Sequence, residues 1–468
     1  MDGGVLYHAL RVCERCRVIP ADGFPSAGSR RRLPCLPHSP PQRFRARITP
    51  LPAPSTTPFS VNGRHYAPPP CPLVVVCIDG CAEGYLDAAL LRDRMPHLAR
   101  LLRRGYRGLA RGALPSFTNT NNASIVTGLP PAAHGMSGNF FLDPDSDEEV
   151  MMNSSRFLRA ETILAAAARA GRRVAFVTAK DKLREIFSQG IVAEGEPGIA
   201  FSAEKADGAS REVHGIDGVE ALVGVGCPEI YSADASVFVL QAGAALLERG
   251  LADFLYLSTT DYVQHKFAPD EEEALDFYAR LDQELGRIAE LGAQIGLTAD
   301  HGMNAKQTAD GGPNVIYLEE VLERAGEKGR VILPITDPYV LHHGALGSFA
   351  VVHLEDLSTL GRVRDLLAGL DGVIEVYDRE AAAHKLELPA DRIGDLVVLS
   401  GRDVVLGRRP EHHDLAAVQG GLRSHGGRYE EMVPFLFSFP LEPSYAQRAA
   451  GDPRNFDIFD FAVNGSAS

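Results

Sequence analysis

Leu73-Val-Val-Val-Cys-Ile-Asp-Gly80 runs six apolar residues, four of them β-branched, straight into an aspartate and a glycine. A run that is apolar at every position suits a strand buried on both faces, the kind found in parallel sheets covered by helices. Asp79 then stands at the carboxyl end of that strand, the edge at which open α/β sheets keep their ligand sites.

The same texture recurs in Val174-Ala-Phe-Val-Thr178, Phe254-Leu-Tyr-Leu-Ser258, Gln294-Ile-Gly-Leu-Thr298 and a late strand, Val433-Pro-Phe-Leu-Phe437. Helical stretches alternate with these strands, at 95–105 (Pro in the first turn, Gly past the end), 159–170, 236–250 and 271–289. This alternation predicts an α/β domain with a mainly parallel sheet between helices. From about Gly311 the strands read as half-buried, with a helix near 362–370 among them, and this texture closes near Pro410. We expect a small α+β cap inserted at 311–415 into a core made of 71–310 and 416–468. Order is expected to begin near Leu73. Residues 1–65 are Arg- and Pro-rich and acid-poor, and read as a disordered extension or an upstream start codon assigned too early. Cys13-x-x-Cys16 and Cys35-x-x-His38 have ligand-like spacing, but nothing around them could build a supporting core.

The net charge of −14 argues against general nucleic-acid binding, which needs basic patches. No apolar run approaches membrane-spanning length. Seven cysteines without a regular framework point to a reducing compartment, so we expect a cytoplasmic chain, with a homodimer left open.

Several strand ends carry chemistry. Asp79 ends the first strand, Lys180 and Lys182 follow Val174–Thr178, Asp261 and His265 follow Phe254–Ser258, and Asp300-His301 follows Gln294–Thr298. Asp261-x-x-x-His265 has the i, i+4 spacing that lets two side chains reach one metal, although a surface ion pair has the same spacing. His425 lies in the glycine-rich stretch Gly420–Gly427. Together, Asp79, Asp261, His265, Asp300, His301 and His425 offer enough O and N ligands for two zinc-like ions. Leu114-Pro-Ser-Phe-Thr-Asn-Thr-Asn-Asn-Ala-Ser-Ile-Val-Thr-Gly128 reads as a loop turning into a helix. Its hydroxyls at Ser116, Thr118 and Thr120 could cap that helix, or one of them could be a nucleophile beside the metals.

Asp79-Gly, Phe117-Thr-Asn-Thr-Asn-Asn, Asp261-x-x-x-His265, Thr298-Ala-Asp-His-Gly-Met303 and the late His425 resemble the alkaline phosphatase superfamily, nearest its nucleotide pyrophosphatase/phosphodiesterase branch. Within that branch the chain resembles enzymes that hydrolyse the carbon–phosphorus bond of phosphonoacetate, through Gly138-Asn-Phe-Phe141, Ala179-Lys-Asp-Lys182, Thr260–Phe267 and Leu333-Pro-Ile-Thr-Asp-Pro-Tyr339. The resemblance implies Thr118 as nucleophile and a phosphothreonine intermediate. It implies one Zn2+ on Asp79, Thr118, Asp300 and His301, and a second on Asp261, His265 and His425. It further implies that Asn139 binds a phosphonyl oxygen and that Lys180 and Lys182 hold the substrate carboxylate. Without the neighbouring site, the two lysines would read as a solvated loop. Alternatives are a metal-dependent nucleotide phosphodiesterase or pyrophosphatase, a non-catalytic zinc-binding protein on the same fold, and a phosphoglycerate mutase-like enzyme. The last would ordinarily need a serine nucleophile and a much larger insertion.

Overall fold

The computed structural model describes residues 55–192, 198–339, 343–415 and 421–467. The cysteine and histidine spacings at 13–16 and 35–38 lie outside the described residues. The core is a seven-stranded sheet in the order Tyr106–Arg111, Met432–Phe437, Gln294–Thr298, Leu73–Cys77, Phe254–Ser258, Val174–Thr178, Ile199–Ser202. Five of these strands pair in parallel, Met432–Phe437 is antiparallel to both its neighbours, and the sheet is therefore mainly parallel.

Period-2 alternation explains the unbroken apolar runs. Val74 and Val76 join Leu255, Leu257, Ile295 and Leu297 in a core under the helices Ala233–Glu248 and Glu272–Glu290. Leu73, Val75 and Cys77 point the other way, with Phe254 and Tyr256, into a core under Thr118–Thr127, Ile163–Arg169 and Ile458–Asn464. Each strand is thus covered on both faces. The helix expected from residue 159 starts later, because the Thr162 side chain accepts from Ala165 N–H and caps it there.

The expectation that order begins near Leu73 places the start too late. Phe59–Val61 and Arg64–Tyr66 form an antiparallel hairpin, and Phe59 stacks on Tyr66 at 5.0 Å. Asn62 and Gly63 take φ of 51° and 75°, the left-handed turn that Asn-Gly favours between strands. Burial of both aromatic rings against the core tethers a segment that reads by composition as an extension.

Residues 315–407 build a second unit within the same body. Its antiparallel sheet runs in the order Gly329–Ile332, Phe349–Leu354, Leu396–Ser400, Val373–Asp378, beside a small parallel pair of Val315–Tyr317 and Val405–Gly407. Its apolar core includes Leu114 and Phe117, so it packs directly on the loop that leads into the helix Thr118–Thr127.

Candidate active site

Thr298, Cys77, Ser258 and Thr178 lie level in register across four adjacent strands. Level ends bring the next residues of each strand to one edge, which is how Asp300-His301, Asp79, Asp261 and Lys180 come together. Asp261 begins the short helix Tyr262–Lys266, and that turn brings His265 Nε2 to 2.9 Å from Asp261 Oδ2. His425 arrives from the loop that follows the second unit. There Gly426 has φ +117°, and a Cβ would lie 2.3 Å from the Phe117 ring, so only glycine fits.

Two buried clusters result. In Asp79, Asp300 and His301, and again in Asp261, His265 and His425, the candidate ligand atoms lie within 4.8 Å of one another. The two clusters touch, since the His301 and His425 rings stack with centroids 3.6 Å apart. Burial removes the surface ion-pair reading of Asp261 and His265.

The imidazoles are oriented for metal binding. Nδ1 faces a backbone carbonyl in all three, that of Arg423 for His265 (2.8 Å), Gly302 for His301 (2.9 Å) and Ser116 for His425 (2.7 Å). A carbonyl only accepts, so each Nδ1 carries a proton and each Nε2 is the nitrogen turned toward the site. Both Asp79 oxygens are buried without a hydrogen bond. Burial and the neighbouring Asp79 push the Asp300 carboxyl well above the usual carboxylate range. Burial, together with His301 and His265, pushes His425 well below the ordinary imidazole range and favours its neutral form. Burial would lower His301, but Asp300 and Asp79 raise it to about 9, so a proton there answers the crowded carboxylates. Crowded carboxylates with imidazoles turned toward them form a donor set that a divalent cation would satisfy in place of that proton.

Thr118 is the first residue of its helix, with Oγ1 3.5 Å from His301 Nε2. The capping position falls to Phe117, which offers no side-chain cap, so Thr118 is not an N-cap. Ser116 Oγ donates to the Gly427 carbonyl at 3.0 Å, while Thr120 Oγ1 is buried without a hydrogen bond. Asn139 Oδ1 accepts from Asn119 N–H at the helix start, and its amide nitrogen donates to the Ile335 carbonyl.

Asn122 escapes a reading by motif. Its amide nitrogen donates to Asp300 Oδ2 (3.2 Å) and to the Thr118 carbonyl (3.0 Å), and its oxygen accepts from Tyr256 and Ser258 hydroxyls. It therefore ties the helix, the sheet and one cluster together. Its position four residues after Thr118 places it on the same helical face, a signal present in the sequence.

The two lysines are not solvated. Lys180 is 2% exposed, with Nζ 2.9 Å from Asp261 Oδ1 and 3.8 Å from Asp79 Oδ2, one carboxylate from each cluster. Burial alone would lower its pKa, but Asp261, Asp79 and Asp337 raise it, so it stays charged. Lys182 Nζ lies 2.6 Å from Asp337 Oδ2 in the second unit. The Tyr339 ring lies over both ammonium groups, 5.2 Å from Lys180 and 5.6 Å from Lys182.

This chain belongs to the type I phosphodiesterase / nucleotide pyrophosphatase family, whose profile matches residues 73–428. It is 49% identical to phosphonoacetate hydrolase from Sinorhizobium meliloti in complex with phosphonoformate, over 88% of this chain and 100% of that one, with a TM-score of 0.83. The same relative in complex with phosphonoacetate aligns at 48% identity with the same coverage and TM-score. Murine ectonucleotide pyrophosphatase/phosphodiesterase 5 shares the fold at 16% identity and a TM-score of 0.56, over 85% of this chain and 96% of that one. An ectonucleotide pyrophosphatase/phosphodiesterase from Caenorhabditis elegans is 31% identical over 109 residues, 22% of this chain and 14% of that protein. The chain thus spans about a seventh of the length of that curated relative. Among the described residues, no helix is long and apolar enough to cross a membrane.

Proposed function

We propose that this chain hydrolyses the carbon–phosphorus bond of phosphonoacetate, giving acetate and phosphate, with Thr118 as nucleophile. The observation that carries this reading is the pairing at one sheet edge of two Asp/His clusters around Thr118 with two buried lysines beside them. An ordinary phosphoesterase needs the first feature and has no use for the second. The similarity to a relative in complex with phosphonoacetate supports the same substrate.

Thr118 Oγ attacks phosphorus in line, forming the P–O bond of a phosphothreonine as the P–C bond breaks. The electron pair leaves on carbon, which has no electronegative atom to hold it, and delocalises into the adjacent carboxylate as an enolate-like group. Lys182 and Lys180 place ammonium charge where that negative charge grows, which lowers the barrier more than it tightens substrate binding. Solvent protonates the carbon to give acetate, and water then hydrolyses the phosphothreonine to phosphate, restoring the Thr118 hydroxyl. Asn139 donates to a phosphonyl oxygen and, through Asn119 N–H, holds the start of the helix. Two zinc ions, one on Asp79, Thr118, Asp300 and His301 and one on Asp261, His265 and His425, would supply Lewis-acid stabilisation and a lowered hydroxyl pKa. The reading carries with it a cytoplasmic setting and leaves a homodimer open.

Phosphorus NMR of the purified protein with phosphonoacetate, an aryl phosphate and a bis-aryl phosphate tests it. We expect phosphate from phosphonoacetate, lost with a chelator and restored by zinc. Inert phosphonoacetate with rapid diester cleavage would replace this reading with a nucleotide-type phosphodiesterase, the other activity of the family.

A further inference from the structure

One segment of the second unit, Leu333–Tyr339, touches each proposed substrate-binding residue. Pro334 and Ile335 carbonyls accept from the Asn139 backbone and side chain, Tyr339 covers Lys180 and Lys182, and Asp337 pairs with Lys182. The Asp337 contact is the unexpected one. A lysine meant to receive a carboxylate already faces one, at 2.6 Å, with side chains 4% and 5% exposed.

Asp337 is firmly placed. Its Oδ1 accepts from Tyr339 N–H at 2.8 Å and faces His343 Nε2 at 3.5 Å. His343 Nδ1 accepts from Ala345 N–H, which leaves the proton on Nε2, pointing at Asp337. The Tyr339 hydroxyl donates to Glu204 Oε2 at 2.6 Å, fastening the segment to the core beside the strand Ile199–Ser202. Burial alone would raise the Asp337 carboxyl, yet Lys182, His343 and Lys180 hold it well below the usual carboxylate range. It remains an anion.

Resting on the proposed reaction, we infer that Asp337 is a specificity-determining residue that acts as an internal competitor for Lys182, standing where the substrate carboxylate must bind. Lys180 is already shared by Asp79 and Asp261. Lys180 therefore brings charge to an incoming carboxylate that is already partly committed, and at Lys182 the ligand gains only what it wins over Asp337. Simple monocarboxylates, acetate included, are held weakly on this account. A ligand whose phosphonyl end is anchored at the clusters brings its carboxylate at high effective concentration and displaces the aspartate. The arrangement favours release of acetate once the bond is cut.

Kinetics of wild type and Asp337→Asn test this. For each, KM is measured with phosphonoacetate and with an aryl phosphate, and acetate is titrated as an inhibitor of aryl phosphate hydrolysis. Removing the competing charge is expected to lower the phosphonoacetate KM and the acetate inhibition constant about tenfold, and the aryl phosphate KM by much less. The gain should vanish in the Lys182→Ala/Asp337→Asn double variant. A raised or unchanged phosphonoacetate KM with unchanged acetate inhibition would overturn the inference and leave Asp337 as a group that merely positions Lys182. Should the Asn variant fail to fold, Asp337→Ser carries the same expectations. If wild type does not cleave phosphonoacetate, the proposed function falls, and acetate inhibition still decides the role of Asp337.

Discussion

Thr118 and Ser116 are two residues apart and have different fates. Ser116 spends its hydroxyl proton on the Gly427 carbonyl and helps fix the loop that carries His425. Thr118 points at His301 from the first turn of a helix, where backbone N–H groups and the helix dipole favour an anion arriving in line. Thr118→Ala should therefore abolish phosphate release while leaving bound zinc and the far-UV spectrum close to wild type, checked by NMR, metal analysis and circular dichroism. Turnover at the wild-type rate would move the nucleophile to another hydroxyl. Composition and spacing alone leave Ser116, Thr118 and Thr120 open, because all three suit a helix start. Geometry separates them through the partners each finds, and those partners lie some 180 or more residues away.

At the scale of elements, the loop bearing His425 depends on a buried ion pair. Lys306 Nζ lies 2.9 Å from Glu430 Oε1 and donates to the Arg402 carbonyl, while Glu430 Oε2 accepts from Gly427 N–H. This pair braces the segment after Asp300-His301, the second unit and the His425 loop at one point. Lys306→Ala would strand a buried carboxylate, and chemical denaturation should register a loss of about 3–5 kcal/mol. Lys306→Met/Glu430→Leu should recover most of that loss, and a single variant as stable as wild type would show that the pair is not needed. The central strands were readable in the sequence because each carries a short, mostly apolar run that ends near a charged or polar residue. The edge strand Tyr106–Arg111 was not, since its Arg-Gly-rich pattern lacks a continuous apolar run. The hairpin at 59–66 carried its signal in Asn62-Gly63, hidden among prolines. Asp337 could not be assigned at all, because a motif names the residue without showing which lysine it meets.

The whole molecule concentrates carboxylates that repel one another at the clusters, with Lys180 as the cation shared between them. A bound divalent ion would relieve that repulsion, so metal should raise thermal stability as well as permit turnover. With zinc at a thousandfold excess over its dissociation constant, linkage gives about 4 kcal/mol. Thermal denaturation with and without a chelator reads it directly. An identical midpoint in both would detach the clusters from metal binding.

Residues 315–407 lie between His301 and His425, and this bears on the order of events as the chain folds. Asp79, Asp261, His265, Asp300 and His301 all precede that unit, and His425 follows it. The second cluster closes only when the chain beyond the intervening residues has returned to the sheet edge. Contacts between residues so far apart in sequence form slowly. A chain that has not yet returned His425 to the sheet edge would offer a metal only Asp261 and His265 there, so binding by all three candidate ligands would come late on the way to the native state.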